Sequence, residues 1–489
     1  MSTTGPLFLG FDVGTQSVKA LVLDPDHGVV ARSSEPLELI EGLGAGHMEQ
    51  HPAHWLTAVQ QTCKRVLAEV DRARIAGIGV SGQQHGCVVL DEHDAVIRPA
   101  KLWCDTATAE QARELSERIG RAVPTGFTAS KLAWLKQHEP EHWQRVRRVL
   151  LPHDYVNFWL TGRATMECGD ASGTGWFDPK ARNFDAAAMA AIDAKVASWM
   201  PELLETGAMA GVLTEATAKL LGLPAGIPVA AGGGDNMMSA IGSGATSAGV
   251  VVVSLGTSGT IFTRTDSVAI DPDGLIAPFC SSDGAWLPLL CVMNLTGVTE
   301  EVKALTGLDH AALTTAAASV APGCDGMMWL PFLMGERVPD LPNATGTLLG
   351  IRPGTMRPGH LYRAALEGTS LNLGLGFQRL RDLGTSITEV RLTGGAANNE
   401  LWRQILANVL GAPVRVLVET ESAALGAALQ ACWSVRRIDD ASLTCEAVAA
   451  PFVQLGALTN PNADAGRYSE LLRQYRTEVQ RLYPRAAAD

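Results

Sequence analysis

Leu7-Phe8-Leu9-Gly10-Phe11 is followed by Asp12-Val13-Gly14-Thr15-Gln16-Ser17 and then by the apolar run from Val18 to Leu23. Short apolar runs on either side of a polar, glycine-bearing turn predict a buried β-hairpin. A P-loop or dinucleotide-binding unit would place a helix after the glycines, and no helix is signalled here. The chain therefore opens on a different α/β plan.

The same pattern returns halfway along. Val250-Val251-Val252-Val253 reads as a strand, Ser254-Leu255-Gly256-Thr257-Ser258-Gly259 as a polar turn, and Thr260-Ile261-Phe262 as a second strand. Two like hairpins, each opening about half the chain, predict two similarly built lobes meeting near residue 245. Between them, helical periodicity runs from Trp55 to Val70 and from Lys131 to His138, the latter capped by Thr128-Ala129-Ser130. Strands are expected at Ile75–Val80, Cys87–Leu90 and around Pro224–Ala231. Late in the chain come a strand at Val390–Thr393, a tight turn at Gly394-Gly395-Ala396-Ala397 and a helix from Asn398 to about Leu410. The expected division is 1–245, 246–435, and a tail of 436–489 packed on the second lobe.

At 489 residues the chain has room for two or three cores. Its 39 Lys+Arg against 51 Asp+Glu give a net charge of −12, a poor field for nucleic acid or anionic lipid. Nine scattered cysteines, never spaced C-x-x-C, exclude a zinc ribbon or thioredoxin motif and fit free thiols in a reducing cytoplasm. Met1-Ser2-Thr3-Thr4 lacks the basic n-region of a signal peptide. No run reaches the ~18 apolar residues of a membrane span. The expectation is a cytoplasmic enzyme of small molecules with no membrane or nucleic-acid partner; a homodimer is left open.

Two nucleotide motifs are dismissed on context. Gly77-Ile78-Gly79-Val80-Ser81-Gly82 spells G-x-G-x-x-G but runs into another strand, not a helix. None of the nine lysines follows a glycine, which excludes a Walker A loop. The first hairpin turn offers phosphate chemistry of another kind. Gly14 admits a phosphate close to the backbone, the N–H groups of Thr15, Gln16 and Ser17 form an anion-binding concavity, and Asp12 can hold Mg²⁺. By itself the turn reads more simply as a structural Asx turn. The second turn, Gly256–Gly259, adds the prospect of two hairpins clamping one triphosphate.

Gly394-Gly395-Ala396-Ala397-Asn398-Asn399 leaves flat backbone for an adenine or ribose, and equally reads as an ordinary strand–helix turn. Gly232-Gly233-Gly234-Asp235-Asn236 presents a carboxylate behind three glycines. Such a group can accept a hydroxyl proton, or can merely cap the following helix. In Gly82-Gln83-Gln84-His85-Gly86, Gln84 and His85 can hydrogen-bond sugar hydroxyls. Trp103 and Asp105 can add a wall and an acceptor, or Trp103 can be plain core.

Together these segments resemble the FGGY carbohydrate kinases along nearly the whole chain. Gly346-Thr347-Leu348-Leu349-Gly350-Ile351 with His360-Leu361-Tyr362-Arg363-Ala364-Ala365-Leu366-Glu367 looks like the family's C-terminal signature. The resemblance implies an α/β fold of two actin/hexokinase/Hsp70 ATPase lobes, ribonuclease H-like, with ATP and sugar in the cleft between them. It puts the catalytic aspartate on Asp235 and sugar contacts on Gln84, His85, Trp103, Asp105, Asp235 and Asn236. It puts Mg²⁺ on Asp12 and the nucleotide on Gly14, Thr15, Gln16, Gly256, Thr257, Gly394, Gly395, Ala396 and Asn399. Two departures, Cys104 and Met166-Glu167-Cys168-Gly169, bear on the choice of sugar more than on the reaction.

The reaction so implied is ATP-dependent phosphorylation of a ketopentose, with the C5 hydroxyl of D-xylulose as acceptor. An ordinary low carboxylate pKa at Asp235 suits an open cleft, because the proton leaves only as the new bond forms. The rivals are a sister kinase for ribulose, another ketose or glycerol, and an actin- or Hsp70-like ATPase that phosphorylates no small molecule.

Overall fold

In the computed structural model, β1 (Leu7–Val13) and β2 (Ser17–Asp24) form the antiparallel hairpin, with Val13 opposite Val18 at the turn. The structure describes residues 5–484, so Met1–Thr4 lie outside it. β3 (Gly28–Pro36) continues the meander beyond β2. On the other side of β1 lies β4 (Ile75–Gly82), in parallel. β5 (Met209–Val212) and β6 (Pro228–Ala230) complete the order β5-β6-β4-β1-β2-β3, and β7 (Gly233–Gly234) also pairs with β4.

Strands paired in parallel are covered on both faces, which suits the near-continuous apolar runs seen here. One face of β1, through Leu7, Leu9, Phe11 and Val13, joins Trp55, Val59, Cys63 and Val66 of the Pro52–Val66 helix in one core. On the other face lies the Ser422–Arg436 helix. A methyl group on Gly10 would fall 2.2 Å from the Ala424 carbonyl oxygen, and one on Gly79 would fall 2.0 Å from that of Ala427. The G-x-G-x-x-G spelling is thus a strand whose missing side chains admit a helix backbone.

That helix changes the expected division of the chain. Two compact units form: the first takes the chain to Thr246 with Phe279–Leu287 and Glu421–Val453, the second Ser247–Pro278, Pro288–Thr420 and the chain from Gln454. The stretch 421–435 therefore belongs with the first unit instead of the second, because the glycines of β1 and β4 seat it there. The expected tail is split as well. Residues beyond 454 add a strand and the Ala465–Leu482 helix to the second unit.

The second unit repeats the plan of the first. Its strands are β8 (Val250–Ser254), β9 (Gly259–Thr263), β10 (Ala277–Cys280), β11 (Trp286–Val292), β12 (Glu389–Thr393), β13 (Val414–Leu417) and β14 (Leu455–Thr459). Their order is β10-β11-β9-β8-β12-β13-β14. As in the first sheet, a hairpin and a third antiparallel strand lie to one side and two parallel strands to the other, closed by an antiparallel edge strand. The repeat read from two short turns is a repeat of topology.

Helix boundaries shift by a few residues from their sequence reading. The first helix starts at Pro52, where proline's fixed φ suits the first turn. The second starts at Thr128, and the Ser130 hydroxyl donates back to the Phe127 carbonyl instead of capping.

Candidate functional site

In the first unit, three parallel strand ends come into register. Asp12 on β1 lies beside Ser81 on β4, and Ser81 lies beside Gly233 on β7, one residue short of the Asp235 helix. At a strand spacing of about 4.8 Å, the backbones carrying Asp12 and Asp235 emerge roughly 10 Å apart at one end of one sheet. The Ser81 hydroxyl donates to Asp12 Oδ1 at 2.8 Å. Burial raises the Asp12 pKa and the Glu421 charge adds to it, while Ser81 and Lys19 pull the other way.

The hairpin turn is braced by two glutamines, Gln83 from the polar loop after β4 and Gln50, for which the sequence gives no signal. Gly14 N–H closes the turn onto the Ser17 carbonyl at 3.0 Å. The Thr15 hydroxyl donates to Gln83 Oε1 at 2.9 Å, and the Gln83 amide donates to Gln50 Oε1 at 3.1 Å. Gln50 in turn donates to the Thr15 carbonyl at 2.7 Å. Trp103, half-buried, gives its indole N–H to the Thr15 hydroxyl at 3.0 Å, so it joins the turn instead of a closed core. Gln16 is exposed.

His85 stands on a backbone held in the left-handed region, with φ of 64°. Its carbonyl accepts from Lys131 Nζ at 2.7 Å and from the Thr128 hydroxyl at 3.2 Å. Its ring lies 4.7 Å from the Phe127 ring and 5.9 Å from that of Phe279. Opposite, a methyl group on Gly173 would fall 2.1 Å from the imidazole, so glycine leaves the ring its place. Lys131 is buried, and burial pulls its pKa down to about 7.

Asp105 departs from its expected role. It is wholly buried, and its carboxylate accepts from Lys101 Nζ (3.0 Å), Met48 N–H (3.0 Å) and Ala107 N–H (3.2 Å). No surface of it is left for a sugar. Lys101 also reaches His47 Nδ1 and Glu49 Oε1, each at 3.0 Å, and lies 4.0 Å from the Trp134 ring centroid. His47, Glu49 and Asp105 would otherwise be close enough to hold a metal ion; the lysine ammonium supplies the positive charge there.

Asp235 begins the Asp235–Gly242 helix, where the dipole favours a carboxylate. Its Oδ1 accepts from the Asn236 backbone N–H at 2.8 Å and from Asn236 Nδ2 at 3.0 Å. Asn236 Nδ2 also donates to Gln84 Oε1 at 2.8 Å. Gln430, from the Ser422–Arg436 helix, clamps Gly232 by accepting its N–H (2.8 Å) and donating to its carbonyl (2.9 Å). Burial, then the charges of Asp12 and Asp170, push the Asp235 pKa up to about 8 against the Asn236 donors. The ordinary low value expected for an open cleft is therefore replaced by that of a carboxyl group shielded from water and, second, crowded by other carboxylates.

In the second unit, β8 and β12 run parallel with Ser254 beside Thr393, so the turns that follow them leave the same sheet end. Gly256 N–H donates to the Ser258 carbonyl at 3.1 Å, and the Thr257 carbonyl accepts from Leu295 N–H at 3.0 Å. Gly394 has φ of 93°, and a methyl group there would fall 2.5 Å from the Leu255 carbonyl oxygen, so this glycine joins the two turns. At Gly395 an added methyl meets nothing within 4 Å, which leaves that backbone open. Ala396 lies in the single 3₁₀ turn Gly395–Asn398. Asn399 caps the Glu400–Leu410 helix, accepting from Trp402 N–H at 3.1 Å and donating to the Thr314 hydroxyl at 2.9 Å.

Among the described residues, no helix is long and apolar enough to cross a membrane. Comparison with known proteins gives a consistent picture. The description of the FGGY family of carbohydrate kinases fits residues 7–242 as its N-terminal domain and residues 251–435 as its C-terminal domain. A xylulose kinase of Haemophilus influenzae is 37% identical over 499 residues, covering 98% of this chain and 100% of that protein. A xylulose kinase of Streptomyces coelicolor is 38% identical over 453 residues, 90% of each chain. Among solved structures, a kinase from Brucella ovis described as a xyloylose kinase matches with a TM-score of 0.91 at 30% identity over 99% of both chains. A Plasmodium falciparum glycerol kinase with ADP shares the fold, with a TM-score of 0.87 at 20% identity over 98% of this chain and 99% of that one.

Proposed function

Because the chain belongs to the FGGY family of carbohydrate kinases, we propose that it transfers the γ-phosphoryl group of ATP to the C5 hydroxyl of D-xylulose. The observation that carries this reading is the Asp12–Ser81–Gly233 register, which brings two carboxylates to the end of one sheet, with Gln84 bonded to the Asn236 amide that holds Asp235. Asp235 accepts the hydroxyl proton as the sugar oxygen bonds to the γ-phosphorus and the bond to the β-phosphate oxygen breaks, releasing ADP. A raised pKa strengthens it as a base once it is ionised. Asn236 and Gln84 hold the carboxylate in line, and His85 with Gln84 binds sugar hydroxyls.

The nucleotide belongs to the turns of the second unit. The open backbone at Gly395 suits a flat base, and the Gly256 and Thr257 turn offers amides for phosphate oxygens. Asp12 fits a divalent cation: Ser81 engages one oxygen of a half-buried carboxylate, and Mg²⁺ prefers carboxylate and phosphate oxygens. When bound there, Mg²⁺ offsets phosphate charge that an acidic protein would repel.

The test is a panel of D-xylulose, L-xylulose, the ribuloses and glycerol with coupled ADP detection. D-Xylulose should give the highest kcat/KM. A higher value for another acceptor overturns the sugar assignment, and ATP turnover independent of any acceptor overturns the kinase reading itself.

A further inference from the structure

Beneath the glycine run that leads to Asp235 lies a buried polar cluster for which the proposed reaction has no use. His153 is wholly buried, with Nδ1 2.6 Å from Asp170 Oδ2 and Nε2 3.0 Å from Asp154 Oδ1. Both carboxylates are buried as well. A neutral imidazole has one N–H, so two anions at opposite nitrogens favour the doubly protonated ring. Burial alone would lower the His153 pKa, but Asp154 and Asp170 lift it well above the ordinary value. Asp154 Oδ2 also accepts from Leu151 N–H at 3.1 Å. The neighbouring Glu167 accepts from the N–H groups of Gly169 (2.7 Å) and Asp170 (2.5 Å) and from the Ser282 hydroxyl (3.1 Å).

Two glycines of the run, Gly232 and Gly233, rest on this cluster, and Gly234 rests on Gln84. A methyl group on Gly232 would fall 3.0 Å from His153 Cδ2, and one on Gly233 2.7 Å from the Ser282 hydroxyl and 3.2 Å from Glu167 Oε1. On Gly234 it would fall 2.7 Å from Gln84 Cγ. Gly82, in register with Gly234, would meet the His153 backbone nitrogen at 2.8 Å. Burial raises the Asp170 pKa, while His153 and, more weakly, Gln84 pull it down; Gln84 also accepts from the Asn236 amide that holds Asp235. A continuous path thus runs from His153 through Asp170, Gln84 and Asn236 to Asp235.

We propose that His153 is a positioning residue: as a cation between Asp154 and Asp170 it braces the glycine run and aims Asp235 through Gln84 and Asn236. Without the cation, a buried Asp170 takes up a proton. The buried Gln84 Nε2 and Asp170 Oδ1, neither of which has a hydrogen-bond partner, then lose the charge that holds them side by side, and the Gln84 side chain is released from its place against Asn236. The inference rests on Asp235 as the base of a carbohydrate kinase.

The experiment compares His153→Gln, His153→Lys and Asp235→Asn with the wild type in D-xylulose phosphorylation, with thermal melting as the check on folding. His153→Gln should lower kcat by about tenfold or more while the KM for ATP stays within about twofold. His153→Lys, which restores a cation, should recover kcat to within about threefold of wild type. Wild-type kcat in His153→Gln, a lysine variant no better than the glutamine one, or a parallel rise in the KM for ATP overturns the positioning role. If His153→Gln does not fold, the double variant His153→Gln/Asp170→Asn, which removes the cation and one anion together, is judged by the same kcat and KM criteria. Undiminished turnover in Asp235→Asn sinks the base assignment and this inference with it; an inactive Asp235→Asn beside an unimpaired His153→Gln sinks this inference alone.

Discussion

Replacing Asp235 with Asn should weaken the enzyme and strengthen the fold, and the second effect should grow with pH. In the folded protein the carboxyl group holds its proton up to about pH 8, against an ordinary value of 3.8. Between those values the folded state carries a proton that the unfolded chain has released. Wild-type stability therefore falls as pH rises through this window and levels off above it, whereas asparagine does not titrate. The full gap of about four pKa units corresponds to ~5–6 kcal/mol, but the residue is half-buried and screened, so roughly 1–2 kcal/mol is the realistic figure. At about 2–4 °C per kcal/mol, the melting advantage of Asp235→Asn should widen by ~2–8 °C between about pH 5 and pH 8.5. Turnover should meanwhile fall on the order of 10²-fold or more, because the amide cannot take the hydroxyl proton. Calorimetric melts across that range in metal-free buffer, with coupled ADP assays on the same preparations, measure both. A melting difference that stays constant or shrinks with pH would refute the proton held on Asp235 by burial and by the charges of Asp12 and Asp170, and near-wild-type turnover would refute its role as base.

Gly173→Ala puts a methyl group 2.1 Å from the His85 ring; the KM for the sugar should rise by about tenfold with that for ATP unchanged, and equal effects on both would make His85 structural. Gly79→Ala drives a methyl group to 2.0 Å from the Ala427 carbonyl oxygen, so the denaturation midpoint should drop by the equivalent of ~2–4 kcal/mol; an unshifted midpoint would contradict the seating of the Ser422–Arg436 helix. Asn399→Ala removes a helix cap and the bond to Thr314, costing about 1 kcal/mol in a thermal melt and raising the KM for ATP; loss of stability without a change in that KM would leave Asn399 a cap alone. Chelation of divalent cations should abolish turnover, and Asp12→Asn should move the half-saturating Mg²⁺ concentration up by about tenfold. An unaltered Mg²⁺ titration in that variant would remove Asp12 from the metal.

The two hairpin turns were readable because their signals are local. The turn at Gly14 and its counterpart at Gly256 each fit within six residues, which marks a hairpin turn but leaves a structural and a phosphate-binding reading both open. Asp105 shows where such reading fails. A carboxylate after a tryptophan looks available, yet its partners include Lys101 four residues back, at a strand end, and the backbone of Met48, far off in sequence. Gln50 carries no local signal for the same reason, since its place in the turn shows only when Gln83 stands beside it. His153 and Asp170 are seventeen residues apart with nothing in the intervening sequence to pair them.

The amino-acid order alone determined the two hairpins, their repetition, the strand–turn–helix at Gly394 and the residue types available for phosphate and sugar. These depend on spacing over a few residues, where backbone geometry and side-chain size leave little freedom. Only the tertiary structure decided that Asp12 and Ser81, 69 positions apart, become neighbours, that Glu421–Val453 returns to the first unit, and that Asp235 keeps its proton to about pH 8. Parallel pairing between distant strands leaves no local mark, and a carboxyl group's affinity for its proton is a sum over neighbours that meet only when the chain has folded.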